Sequence, residues 1–231
     1  MRCKPIFLLL LTLSCSRPQG GSMEVERLAD NTFPLTVCNI TKDSAELTAR
    51  YQFVSHNCLC TSFPRLLCQG SVTMNGTPLT DPYQNSYLIG GIVQEGENVI
   101  EVRTSGDLSP VSLSGEFGVW ADEEGGWYVD KARPLEAGLL ASQGLPFYSG
   151  EVSYRRQYEV PEKVGPRILR IPSWKGEACS VWVNYQKVAD VTTGRFKMDI
   201  GPYLEAGTND IEVRISGASG TFGLLKDFTL E

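Results

Sequence analysis

The chain repeats itself, and that repeat constrains its architecture more than any other feature. Gly96-Glu97-Asn98-Val99-Ile100-Glu101-Val102-Arg103-Thr104-Ser105-Gly106 returns as Gly207-Thr208-Asn209-Asp210-Ile211-Glu212-Val213-Arg214-Ile215-Ser216-Gly217. Ser71-Val72-Thr73-Met74-Asn75 returns as Ser180-Val181-Trp182-Val183-Asn184, and Gly115-Glu116-Phe117-Gly118 as Gly220-Thr221-Phe222-Gly223. Arg50-Tyr51-Gln52-Phe53 has its counterpart in Arg155-Arg156-Gln157-Tyr158. The four landmarks keep their order, at offsets between 105 and 111 residues. Self-similarity in fixed order is the signature of a duplicated unit, and we read two copies of one module.

Each landmark carries a strand signal. Apolar and polar residues alternate through 98–102 and 209–213, as a half-buried strand requires. Gly96 and Gly207 suit turn positions with positive φ. Asn75-Gly76 after Val72-Thr73-Met74 predicts a tight hairpin. Tyr185 stands where the second copy should have that Gly, which predicts another turn type or local strain. Twenty-three Gly, thirteen Pro and many β-branched and aromatic residues fit short strands joined by turns. The expected fold class is all-β: two tandem antiparallel β-sandwich modules of jelly-roll type.

Expected boundaries follow from the landmarks and the N-terminus. Arg2 and Lys4 precede an apolar run from Ile6 to Leu13, a pattern that predicts a secretory signal over 1–14 and is too short to span a bilayer. Ser14-Cys15-Ser16 resembles a bacterial lipoprotein processing site, with Cys15 as the lipidated residue; ordinary cleavage nearby is the alternative. Residues 15–32 are expected as a tether, 33–120 as the first module, 121–143 as a packed connector and 144–231 as the second. The one helical turn expected is Leu135–Ser142. An exported chain at the bacterial outer membrane or cell surface is predicted, with a periplasmic or secreted location as the alternative.

Gln143-Gly144-Leu145-Pro146-Phe147-Tyr148-Ser149-Gly150 leads into Glu151-Val152-Ser153-Tyr154, and Trp182-Val183-Asn184, 196–200, Tyr203-Leu204 and Gly207-Thr208-Asn209 follow. This series resembles the galactose-binding-like β-sandwich, an accessory domain of large bacterial glycoside hydrolases. It is most similar to C-terminal regions of α-L-rhamnosidase-like enzymes and to the sugar-binding sandwich of β-galactosidase-type enzymes. The resemblance implies a carbohydrate-binding accessory role beside a glycoside hydrolase, either as a stand-alone binding protein or as a part or remnant of such an enzyme. A purely structural protein–protein adhesion module is the third reading.

Charge and residue types narrow the chemistry. A net charge of −6 and a pI near 5.0 argue against a nucleic-acid partner, and the lone His56 excludes sites needing two imidazoles. Membrane attachment is expected only through a lipid anchor. Hydrolysis of glycosides needs two carboxylates across a cleft; Asp122, Glu123 and Glu124, or Glu116 with Asp130, are candidates without the marks of such a pair, so no catalytic residue is expected. His56-Asn57-Cys58-Leu59-Cys60 with Cys68 invites a zinc reading, but the Cys spacing is too short; a disulfide or buried thiols fit better. No metal site or cofactor is assigned, including the structural calcium that the resemblance allows. Sugar binding needs aromatic faces at loops, so Trp174, Trp127, Tyr128 and Tyr148, with Phe147, are the candidate ligand-binding residues. Trp120 and Trp182, inside apolar alternation, are expected in the core.

Overall fold

The computed structural model describes residues 20–43, 45–57, 64–161 and 165–231. The expected signal over 1–14, the anchor at Cys15, and Cys58 and Cys60 lie outside the described residues. Among the described residues no helix is long and apolar enough to cross a membrane.

The described chain is all-β, as expected, and its sheets enclose two buried apolar clusters. The first lies between two sheets. One is built from β11 (Phe117–Ala121), β12 (Trp127–Lys131), β4 (Glu46–Ser55), β9 (Gly96–Thr104), β6 (Ser71–Met74) and β7 (Thr77–Pro78), in that order, with β3 (Val37–Asp43) also paired to β4. The other runs β2 (Asn31–Pro34), β10 (Ser112–Gly115), β5 (Arg65–Leu67), β8 (Ser86–Leu88). Tyr51, Phe53, Met74, Ile100 and Val102 from the first sheet meet Phe33, Leu66, Tyr87 and Leu113 from the second. Alternation explains this meeting, because every second residue of a strand shares a face. Pairing is antiparallel throughout except between β12 and β4.

The second cluster lies under a sheet ordered β1 (Glu24–Arg27), β13 (Gly150–Val160), β19 (Gly207–Gly217), β16 (Ala178–Val183), β17 (Gln186–Asp190). The opposing layer is split. β18 (Phe196–Asp199), β14 (Ile168–Ile171) and β21 (Thr229–Leu230) form one small sheet, and β15 (Ser173–Lys175) with β20 (Gly223–Lys226) the other. Tyr154, Tyr158, Val181, Ile211, Val213 and Ile215 face Leu169, Ile171, Leu224 and Leu230 across this core.

The expected tether is structured over its described part. β1 adds to β13 in register Glu24↔Arg155 to Arg27↔Val152, and Met23 and Val25 pack on the second cluster. Four residues later β2 enters the first cluster's sheet, where the Asn31 side chain donates to the Phe117 carbonyl at 2.9 Å. An edge strand of four residues held mainly by backbone bonds leaves no mark in composition, which is why polarity alone read as a tether. The expected helical turn shrinks to a 3₁₀ turn at Leu140–Gln143, and the backbone around it bonds to Phe222, Gly220 and Leu224. The segment around this turn is thus stitched to the strands of the second cluster, and β12 before it belongs to the first cluster's sheet.

The same polar knot lies under the similar segments 96–106 and 207–217. Asn98 is fully buried; its amide accepts from the Gln94 N–H (2.8 Å) and the Asn75 side chain (2.9 Å) and donates to the Gln94 and Gly96 carbonyls. Asn209, also fully buried, does the same with Glu205, Asn184 and Gly207. Gly96 and Gly207 take the expected positive φ, 84° and 98°. The turn at Tyr185 keeps its counterpart's geometry: φ is 51° and 78° at Asn75 and Gly76, 47° and 67° at Asn184 and Tyr185. Of the two outcomes read from the sequence, strain is the one realised. Tyr185 holds a left-handed conformation that costs a non-glycine residue about 1 kcal/mol.

Candidate functional site

The aromatic residues expected to bind sugar do not gather in one place. Tyr148 is fully buried in the second cluster, stacks 5.9 Å from Phe222 and donates its hydroxyl to the Glu151 carbonyl at 2.7 Å. It offers no face to a ligand, because it is packed with Leu145 and Leu140 in the core. Trp127 and Tyr128 are neighbours on β12, so their side chains take opposite faces. Trp127, 41% exposed, meets Phe147 edge-on at 5.1 Å, whereas Tyr128 meets the His56 ring at 4.7 Å. Phe147 itself is drawn toward Phe33 of the first cluster. Trp120 and Trp182, expected in the core, are only partly buried. Each lies under a guanidinium, Arg133 and Arg214 respectively, at 4.1 Å from the ring centroid. Alternation had marked them as regular strand residues without saying which face each takes.

The described residues around His56 are engaged in pairwise polar contacts. His56 Nδ1 lies 3.4 Å from Glu95, and Asn57 donates to Asp130 at 2.9 Å. Cys38 is exposed, while Cys68 and Cys179 are buried free thiols, pushed up by burial to about 11 and about 12. Among the described residues no three His, Cys, Asp or Glu side chains converge as metal ligands.

Trp174 leads to a sizeable cleft. The split in the layer over the second cluster falls at Pro172, which has no N–H to carry a ladder from β14 into β15. The gap opens a cleft of about 970 Å³, within the range of ligand sites, lined by β14, the start of β15, residues 194–197 and Lys226. Trp174 stands behind this cleft rather than in it. Its ring packs on the second core, and its indole N–H donates to the Thr193 carbonyl at 2.8 Å. The Thr193 hydroxyl in turn donates to the Arg195 carbonyl at 2.6 Å, so Trp174 fixes the loop that carries Gly194 and Arg195 into the lining.

The lining was not found from sequence. Phe196 supplies the aromatic surface, Ser173 a hydroxyl, and Arg170, Arg195, Lys197 and Lys226 four cations. Arg170 and Lys197 are directly paired across β14 and β18, and Lys226 sits opposite Ser173 across β15 and β20. Arg170 meets the Glu231 carboxylate at 2.7 Å; among the described residues no carboxylate forms an ion pair with Arg195, Lys197 or Lys226. One signal could have pointed here. The whole net charge of −6 resides in residues 1–143, because eleven cations balance eleven carboxylates over 144–231.

A second polar group missed from sequence is Glu212, 3% exposed on the outer face of β19. Burial alone would raise its carboxyl, but hydrogen bonds from Arg214 (2.8 Å) and Ser153 (2.5 Å), with the charges of Arg214 and Arg155, hold it below the usual 4.5. Its partners satisfy it, and we read it as a structural ion pair.

No protein-family model matches the sequence, and no curated protein matches it. Solved structures similar to parts of the chain include glycoside hydrolases. The rhamnosidase from Novosphingobium sp. PP1Y is 15% identical, with 87% of this chain and 24% of that chain covered at a TM-score of 0.35. The Streptomyces avermitilis α-L-rhamnosidase complexed with L-rhamnose is 11% identical, covering 85% and 25% at 0.34. The Faecalibacterium prausnitzii β-glucuronidase is 16% identical, covering 76% and 22% at 0.31. The chain spans about a quarter of the length of these enzymes.

Proposed function

We propose that this chain is a non-catalytic carbohydrate-binding accessory module of an exported glycan-degrading system, built from two copies of one β-sandwich unit, and that its ligand lies in the cleft beside Pro172. The observation that carries the reading is the cleft's lining. It combines an aromatic ring at Phe196, a hydroxyl at Ser173 and hydrogen-bond donors at Arg170 and Arg195, the mixture a sugar's apolar face and hydroxyls require. Its lining residues include no Asp or Glu, whereas hydrolysis would need two carboxylates about 5–10 Å apart. Retention without turnover is the activity such a lining supports.

The identical knots at Asn98 and Asn209 support duplication, since the same buried bonds recur with the same partners in sequence order. Attachment through a lipid at Cys15 belongs to the same proposal, and its check is loss of palmitate labelling in Cys15→Ser.

The full chain, held in detergent and applied to a polysaccharide array, tests the reading. Retention on at least one glycan with no release of reducing ends is expected. Release of reducing ends, or silence across the array, overturns it.

A further inference from the structure

We infer that the ligand of this cleft is anionic: a glycan bearing carboxylate or sulfate groups rather than a neutral one. The inference rests on the carbohydrate-binding reading and specifies the ligand class for the same site.

Four observations carry it. The chain as a whole is acidic, yet Arg170, Arg195, Lys197 and Lys226 all line one cleft. Arg170 and Lys197 stand directly opposite each other across two strands, a like-charge placement that costs stability in a sheet. One carboxylate, Glu231, meets Arg170, and none of the described carboxylates forms an ion pair with the other three cations. The backbone that carries Arg195 is tied down: the Trp174 indole bonds the Thr193 carbonyl, and the Thr193 hydroxyl bonds the Arg195 carbonyl. A fold bears such repulsion at low cost when a bound anion relieves it. A guanidinium matches a carboxylate or sulfate with two parallel hydrogen bonds, and lysines add point charges around it. Phe196 and the one Ser173 hydroxyl leave room for a pyranose ring against the cleft wall.

An acidic peptide presents the same charges. The aromatic ring beside a hydroxyl in a cleft of about 970 Å³ favours the glycan, because a peptide carboxylate needs no stacking surface.

Binding of the full chain to oligogalacturonate, to its methyl ester, to a sulfated galactan and to the desulfated galactan tests the inference, with poly-glutamate as competitor. Tight binding to one or both charged glycans is expected, at least tenfold over the uncharged partner, weakening steeply as salt rises. Oligogalacturonate alone would name the carboxylate, and the sulfated galactan alone the sulfate ester. The double variant R195Q/K197Q, at exposed positions, should bind roughly fivefold or more weakly, since two exposed charge contacts multiply, while the unliganded chain melts no lower than the parent, since the repulsion between Lys197 and Arg170 is gone. Equal binding of charged and uncharged glycans, sensitive to S173W, would overturn the inference while leaving the carbohydrate reading standing. Binding to none of the four overturns the inference, with silence across the whole polysaccharide array needed to overturn the carbohydrate reading as well, and preference for poly-glutamate over every glycan replaces the glycan with a peptide.

Discussion

Replacing Asn209 by Ala removes the hub of one buried knot and tests the structural logic of both. The side chain is fully buried and makes four hydrogen bonds, to Glu205 N–H (2.9 Å), the Asn184 amide (2.9 Å), and the Glu205 (2.8 Å) and Gly207 (3.0 Å) carbonyls. Each bond is worth about 1 kcal/mol net, and a buried partner left unpaired costs more. Glu205 lies at the surface, where water can replace part of what is lost. The expected loss is therefore about 3 kcal/mol. Asn98→Ala should cost the same, because Gln94, Gly96 and Asn75 occupy the matching roles. Urea unfolding followed by near-UV circular dichroism reads the change. Asn39→Ala, on the fully exposed β3, serves as the control and should cost under about 0.5 kcal/mol. If the two sandwiches unfold in separate steps, each variant should shift one step only. Losses below about 1 kcal/mol at both sites would refute the reasoning.

Other outcomes follow from single contacts. Tyr185→Gly should stabilise the chain by about 0.5 kcal/mol, since relief of the left-handed strain exceeds the lost contact with Arg155 at 5.9 Å. Gly76→Tyr should destabilise it by about 1 kcal/mol through conformation alone, a Cβ there meeting nothing within 4 Å; thermal melts check both. Trp174→Phe keeps the ring but loses the bond to Thr193, so stability should fall by about 1 kcal/mol and glycan retention should weaken. Glu212 is held below its usual 4.5, so its stabilising effect is present above that value and lost as pH falls below it; Glu212→Gln should flatten the acid limb of stability against pH. Alkylation of the native chain at pH 8 should mark Cys38 and spare Cys68 and Cys179, whose thiols burial keeps protonated, as mass mapping would show.

What the sequence disclosed was local. Gly96, Gly207 and Asn75-Gly76 were readable because positive φ is decided by the residue itself. Strands β9 and β19 were readable because alternation reports a half-buried face. Partners distant in the chain were not readable. Nothing in Glu24–Arg27 announces β13, and nothing in Trp182 announces the Arg214 that covers it. Tyr148 has the same local company as an exposed loop aromatic, yet one turn of chain carries it into the core. The cleft was hidden for the same reason. Its cations come from β14, β18, β20 and the loop before β18, and only the split at Pro172 brings them together.

Backbone amide shifts of the full chain, followed by nuclear magnetic resonance during titration with oligogalacturonate and then with the sulfated galactan, test the central claim most directly. Saturable shifts confined to the neighbourhood of Arg170–Ser173, Gly194–Lys197 and Lys226 are expected. Shifts centred on Trp127 and Tyr128 instead, or a spectrum unmoved by either glycan, would contradict it.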